Sequence, residues 1–277
     1  MEQIEVTMLG TGSPRPDLER KGPSQLLTVD GTHVLVDSGE GVTYQLMKAG
    51  ICPSKINYLF MTHLHSDHLF GYGNFLLGGW GLGRRELTVV GPKGMKHFHD
   101  TLLDLFKDDI AYRMSLGRPG NGVLDVKIIE IEQPGTVENC GLDVEITAAE
   151  MIHNVQTYAY RFQIGDKSVV FSGDTAPTKE IIKLAENADI LVLDASLTSN
   201  EIYENATDPE LIKIWNELQK EHCTPSQAAT IAQEANVEKL ILTHFLPGID
   251  EEKTYREASA KFQGKLYVGK DLETVQV

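Results

Sequence analysis

Thr62-His63-Leu64-His65-Ser66-Asp67-His68 is the stretch on which the reading of this chain turns. It follows Lys55-Ile56-Asn57-Tyr58-Leu59-Phe60-Met61, an apolar run of the kind that forms a buried strand. Three imidazoles and a carboxylate crowded at a strand's end are not core packing, because burying them without partners costs several kcal/mol. Imidazole nitrogen and carboxylate oxygen are good ligands for Zn²⁺ and similar ions. Alternation sends His63 and His65 to one side of an extended segment. If the chain then turns into a helix, Asp67 and His68 face a second location about one turn away. One segment can therefore serve two metals, but its four donors do not fill two sites.

Further donors stand at the ends of other strand-like runs. His153 lies shortly after Leu142–Thr147, and Asp174 ends Val169-Val170-Phe171-Ser172-Gly173-Asp174, where the glycine permits a sharp turn. His244 ends Leu240-Ile241-Leu242-Thr243-His244. Each alone is a weak signal, since a single loop histidine is more often solvated than ligating; together with the cluster they make a set. His97 and His99 do not face together on a helix and are read as non-ligands. His33, inside a hairpin strand, is read the same way.

Similar short runs recur along the chain, and Asp30-Gly31 and Gly165-Asp166 mark hairpins between antiparallel neighbours. Helices are predicted over Val42–Ala49, His97–Phe106, Lys179–Glu186, Pro209–Lys220 and Ser226–Ala235. Thr178 and Thr224 are the N-caps of the third and fifth, with Pro225 at the first helical position. The apolar face of Pro209–Lys220, with Trp215, is read as core rather than as a subunit contact, although a homodimer is left open. Strands dominate as far as the Ser168–Phe171 run, and strand–helix alternation follows without a linker. The expected architecture is one αβ domain of packed sheets and outer helices over residues 1–277.

The 277 residues are 41% hydrophobic and 23% charged, which excludes a disordered or fibrous chain. No apolar run approaches the roughly 18 residues of a membrane span. Met1-Glu2-Gln3-Ile4-Glu5 has neither a basic nor an apolar leader segment, so a cytoplasmic location is expected. Cys52, Cys140 and Cys223 are scattered and odd in number, which suggests free thiols. A formal charge of −15 repels polyanions and disfavours nucleic acid as a partner.

With His153, Asp174 and His244 added, the T-H-L-H-S-D-H motif resembles that of the metallo-β-lactamase superfamily. Leu9-Gly10-Thr11-Gly12 and Val36-Asp37-Ser38-Gly39-Glu40-Gly41 match its early loops, so the resemblance covers nearly the whole chain. Gly22-Pro23-Ser24, Gly79-Trp80-Gly81-Leu82-Gly83-Arg84 and His222-Cys223-Thr224 look like the branch of ribonuclease Z and arylsulfatase-like hydrolases. The resemblance implies an αβ/βα sandwich of two mixed sheets with helices outside. It places His63, His65 and His153 on one metal and Asp67, His68 and His244 on the other, with Asp174 bridging. Two Zn²⁺ are the implied cofactors, and Mn²⁺ or Fe²⁺ accept the same donors.

Two such ions about 3.5–4 Å apart share a water and lower its pKa toward neutrality, giving the expected nucleophile, a bridging hydroxide. Asp67 orients it. The resemblance also implies that His222 protonates the leaving group or hydrogen-bonds the transition state, with Asp194 holding the imidazole. Arg84 and Arg85, beside Trp80 in a glycine-rich loop, either contact an anionic substrate or lie in solvent.

Family members that process tRNA carry an arm between the third-motif histidine and the bridging aspartate. Here the stretch between His153 and Asp174 has length for two strands and a turn, and no more. Leu193-Asp194-Ala195-Ser196 also stands where those enzymes have His-Glu-Ala-Thr. The expectation is therefore hydrolysis of a small anionic ester, a phosphodiester or a sulfate ester, by a soluble enzyme. The alternatives are a ribonuclease Z-type tRNA 3′-processing endonuclease, a lactonase or other carboxylic-ester hydrolase, and a non-catalytic metal-binding scaffold.

Overall fold

The computed structural model describes residues 3–198 and 206–277. Met1 and Glu2, read above as part of the leaderless start, lie outside the described residues. Two seven-stranded mixed sheets pack face to face. The first is built from β1 (Ile4–Gly10), β2 (Ser24–Val29), β3 (Thr32–Val36), β4 (Tyr58–Phe60), β5 (Thr88–Pro92), β6 (Lys127–Ile131) and β14 (Thr274–Gln276), in the order β14-β1-β2-β3-β4-β5-β6. The second contains β7 (Gly135–Thr136), β8 (Glu145–Glu150), β9 (Tyr158–Ile164), β10 (Lys167–Phe171), β11 (Ile190–Asp194), β12 (Lys239–Thr243) and β13 (Lys265–Val268), in the order β13-β12-β11-β10-β9-β8-β7. Both expected hairpins form, as antiparallel β2–β3 and β9–β10 pairs.

Period-two alternation sorts the side chains into layers. Ile4, Val6, Met8, Leu27, Val34, Val36 and Phe60 face Tyr160, Phe162, Val169, Phe171, Val192 and Ile241 in a core between the sheets. The alternate residues face outward under helices. Leu26, Leu35, Leu59 and Val89 pack against α1 (Val42–Lys48), α3 (Tyr72–Gly81) and α4 (Met95–Leu105). Val170, Leu191, Leu193, Leu240 and Leu242 pack against α6 (Lys179–Leu184), α8 (Pro225–Glu234) and α9 (Glu251–Ser259). Both faces of each sheet are thus covered, as central parallel strands require. Among the described residues the remaining α-helices are α2 (Ser66–Leu69), α5 (Lys107–Ser115) and α7 (Pro209–Leu218). No described helix is long and apolar enough to cross a membrane.

Local signals account for several boundaries. Thr178 accepts a hydrogen bond from the Glu180 amide at the start of α6, and Thr224 and Gln227 form a reciprocal capping box on α8. Two expectations need correction. The Gly79–Arg84 stretch is a loop only in its second half, because α3 runs through Gly81. The expected Pro209–Lys220 core helix contains α7, which has no buried residue; its periodicity creates an apolar face but does not place that face in the core. Cys52, Cys140 and Cys223 are free, as expected, and the last two are buried.

Candidate metal centre

The fold gathers the chemistry-bearing residues at the C-terminal ends of parallel strands, where loops of αβ folds form sites. Asp37 follows β3 and Thr62-His63 follows β4, whose neighbours Val36 and Phe60 are paired in register. Asp174 follows β10, Asp194 ends β11 and His244 follows β12, with Asp194 opposite Thr243. Two hydrogen bonds tie the halves across the sheets, from the Tyr158 amide to the Thr62 carbonyl (2.9 Å) and from Tyr160 Oη to the Met61 carbonyl (2.7 Å). At Gly173, φ is +59°, and a β-carbon there would lie 2.7 Å from Thr62 Cβ. Only glycine lets the chain turn this tightly and deliver Asp174. Asp37 (φ 59°) and His244 (φ 68°) also occupy the left-handed region, which is uncommon for residues with a side chain.

All seven candidate ligands converge. His65 ends the extended segment and α2 begins at Ser66, so His63 and His65 point to one place and Asp67 and His68 to another. His65 Nδ1 lies 3.1 Å from His63 Nε2 and 3.2 Å from His153 Nε2. Asp174 Oδ2 is 3.7 Å from His63 Nε2, 3.8 Å from His153 Nε2 and 3.2 Å from His244 Nε2. On the second side, His68 Nε2 is 3.4 Å from Asp174 Oδ1 and 3.7 Å from Asp67 Oδ2, which is itself 3.3 Å from His244 Nε2. Asp174 thus faces both groups, His63–His65–His153 and Asp67–His68–His244.

These spacings suit a shared cation. Ligands 2.0–2.1 Å from one Zn²⁺ at tetrahedral angles stand about 3.3–3.4 Å apart. His68 Nε2 is buried among carboxylates and has no hydrogen-bond partner, a costly arrangement unless a ligand fills it. Outer hydrogen bonds turn the lone pairs inward. His68 Nδ1 donates to Asp37 Oδ2 at 2.8 Å. His63 Nδ1 donates to Thr62 Oγ1 at 3.0 Å, and that hydroxyl donates on to Asp37 Oδ2 at 2.8 Å. His153 Nδ1 donates to the Glu221 carbonyl at 3.2 Å. With Nδ1 so engaged, each of these rings turns its Nε2 toward the cluster.

Electrostatics follow from this packing. Burial holds His63 well below the usual imidazole range. Burial opposes charging His68 as well, but Asp37, Asp174 and Asp67 outweigh it and raise the imidazole well above its ordinary value. Burial would raise Asp174, yet His244, His68 and His63 hold it well below the carboxylate range. Carboxylate oxygens and ring nitrogens are therefore presented together in a largely buried cluster.

His222 and Asp194 lie beside the cluster. His222 Nδ1 donates to Asp194 Oδ2 at 2.7 Å, and the His222 ring stacks over His244 with centroids 5.4 Å apart. Burial pulls the His222 pKa down, but the Asp194 carboxylate overrides it and the value reaches about 9. Asp194 is fully buried and also accepts from the amides of Ser196 (2.9 Å) and Thr175 (3.2 Å), which fix its orientation.

Other expectations fall differently. For Arg84 neither expected view holds. Arg84 is buried, donates to the carbonyls of Phe75 (3.3 Å) and Leu76 (2.9 Å), and lies over the Phe75 ring. Arg85 donates to the carbonyls of Trp80 and Arg84. Arg85 thus meets the C-terminal end of α3, where a cation is favourable, while Arg84 folds back along the helix to carbonyls of its middle. His99 pairs with Tyr72 Oη at 2.7 Å and His33 with Thr28 Oγ1 at 3.0 Å, in keeping with their reading as non-ligands. The residue that sequence reasoning missed is Asp37, which supports two candidate ligands at once. Its signal was an aspartate directly after a strand, quoted above without a role.

The sandwich and its metal-type cluster define a class, the metallo-β-lactamase-fold hydrolases. Comparison with known proteins agrees: residues 32–245 match the family model described as a beta-lactamase superfamily domain. The chain is 33% identical over 280 residues to ribonuclease Z of Mycobacterium sp. (strain KMS), covering 99% of this chain and 96% of that protein. Among solved structures it is similar to the metallo-beta-lactamase fold protein YhfI from Bacillus subtilis, with a TM-score of 0.77 and 22% identity over the full length of both. It is also similar to human tRNase Z, short form, with a TM-score of 0.72 and 21% identity over 98% of each chain. The chain belongs to the metallo-β-lactamase superfamily, in the ribonuclease Z branch, and is a metal-dependent hydrolase of that family.

Proposed function

We propose that the chain is a phosphodiesterase of the ribonuclease Z type that holds two divalent ions, zinc by default, and cleaves an RNA phosphodiester. One observation carries the reading: seven donor side chains converge at ligand spacing, with the His222–Asp194 pair beside them. His63, His65 and His153 would hold one ion and Asp67, His68 and His244 the other, with Asp174 available to both. The likeness over 99% of the chain to proteins named ribonuclease Z supports RNA as the substrate, against the expectation drawn from the net charge.

Bound ions would supply Lewis acidity toward phosphoryl oxygens and a water that ionises near neutral pH. The protein's own groups do the rest. Asp67 orients the attacking water, its Oδ2 held 3.3 Å from His244 Nε2. His222 keeps Nδ1 on Asp194, so its Nε2 gives the proton to the oxygen leaving phosphorus. The buried Asp194 carboxylate keeps that imidazole charged until then.

A second reading, a small phosphodiester or sulfate ester, is favoured by the connection from His153 to Asp174. It runs through β9 and β10, whose ends Ile164 and Lys167 pair directly across the turn, and no length remains for a substrate arm. Purified zinc-loaded protein should therefore be assayed on a tRNA precursor with a 3′ trailer, bis-p-nitrophenyl phosphate, p-nitrophenyl sulfate and a lactone panel. Precursor cleavage at the 3′ end supports the first reading. Turnover of the small diester alone replaces it with the second, and preference for lactones or no turnover at full metal occupancy defeats both.

A further inference from the structure

The segment Glu221-His222-Cys223-Thr224 is fastened to the site at every residue. The Glu221 carbonyl receives His153 Nδ1, and Glu221 Oε2 accepts from Asn154 Nδ2 at 2.6 Å. His222 is anchored on Asp194. Cys223 Sγ donates to the Thr175 carbonyl at 3.1 Å, and the Leu197 amide donates to the Cys223 carbonyl at 3.1 Å. Thr224 caps α8. On its N-terminal side the segment is continuous with α7, whose Leu218 carbonyl accepts from the Glu221 and His222 amides at 3.1 Å each but which has no buried residue.

His153 has a similar weakness. It is the one candidate ligand carried by the 151–157 loop, which joins β8 to β9. Its bond to the Glu221 carbonyl, at 3.2 Å, is long for orienting a ring. The Asn154–Glu221 bond is shorter and charge-assisted, hence stronger, and it adds a second attachment between the same two segments. His153 and His222 meet edge to face with centroids 5.1 Å apart. One donor atom from each of His153, Glu221 and His222 lies within 4.8 Å of the others.

The geometry points to Asn154 and Glu221 as positioning residues whose side-chain bond clamps the His153 loop to the segment bearing His222, fixing the separation of metal ligand and proton donor. This rests on the reading of His153 as a ligand and His222 as the donor. The clamp acts through those two imidazoles and touches no reacting atom. Asn154 is exposed and Glu221 half-buried, so both can be changed without opening the core.

The test uses N154A, N154D, E221A and E221Q in the full chain. It measures Zn²⁺ affinity by chelator competition, the visible spectrum of the Co²⁺-loaded protein, kcat and KM on bis-p-nitrophenyl phosphate, and metal-free Tm. N154A and E221A should each weaken binding of one of the two ions about 10-fold, alter the Co²⁺ spectrum and lower kcat with little change in KM. N154D should be worse, because two carboxylates then face each other. E221Q should stay near wild type, since its amide oxygen still accepts from Asn154, and the N154A/E221A double variant should be no worse than a single. Wild-type metal affinity in both alanine variants overturns the clamp. So does an E221Q as impaired as E221A, or a loss of affinity that merely follows a falling Tm. If the wild-type protein turns over no diester, the functional reading fails, while the affinity and spectral measurements still decide the clamp.

Discussion

Asp37 Oδ2 receives the Nδ1 proton of His68 at 2.8 Å, although neither residue is near the other in sequence. The same carboxylate accepts from the Thr62 amide (2.8 Å) and hydroxyl, and through that hydroxyl it reaches His63. One buried aspartate therefore orients an imidazole in each half of the cluster. Removing such an outer partner typically lowers metal affinity about 10–100-fold. Asp37→Ala should weaken zinc binding by about that factor, measured by chelator competition on the apo-protein. Affinity equal to wild type would show that packing alone orients the two rings.

The His222–Asp194 pair makes a separate prediction. Neither residue is among the seven proposed ligands, so His222→Ala should keep its full metal content by elemental analysis. Loss of a proton donor costs about 10²–10⁴-fold in turnover, and kcat should fall within that range. Asp194→Asn should lie between His222→Ala and wild type, since the amide oxygen can still accept from Nδ1 but the charge is gone. If His222→Ala turns over normally, the pair is structural.

The cluster was legible in the sequence because its spacing is local: T-H-L-H-S-D-H places donors on a strand end and the first turn of α2 without tertiary information. His153, Asp174 and His244 were legible because each follows an apolar run. Asp37 was not, since its importance arises from the Val36–Phe60 register, which sets the residues after β3 and β4 side by side. Helix α7 was misread because periodicity reveals an apolar face and says nothing of what covers it. Arg84 does follow α3 in a loop, but its burial was not legible, because tertiary packing folds the guanidinium back against Tyr72–Gly81.

That packing sets two small effects against each other at Gly79. Alanine in a helix interior is favoured over glycine by about 1 kcal/mol. A β-carbon at Gly79, however, would lie 2.4 Å from Arg84 Nη1 and 2.7 Å from its Cζ. The guanidinium cannot retreat, because Nη2 is bonded to the Leu76 carbonyl and the group rests 4.5 Å above the Phe75 ring. Overpacking of this kind costs about 1–3 kcal/mol, so the clash should win. Gly79→Ala should lower the urea midpoint, and a raised midpoint would mean that the helix end has room to shift.

The Tyr72–His99 pair gives a pH dependence outside the candidate site. Burial lowers the His99 pKa below the ordinary imidazole value, while Nδ1 and Tyr72 Oη stay 2.7 Å apart. Below the unfolded-state value of 6.5, the unfolded chain binds a proton that the folded chain resists. Stability should therefore fall as pH drops through 6.5 toward the lower folded value, with a slope of at most about 1.4 kcal/mol per pH unit from this group. Above 6.5 the contribution is constant. His99→Gln retains a side chain that can hydrogen-bond Tyr72 but cannot titrate, so the stability gap between wild type and variant should narrow as pH falls from about 7.5 to about 5.5. Urea unfolding of both metal-free proteins across that interval measures the gap, and a gap independent of pH would show that His99 charges freely in the folded protein.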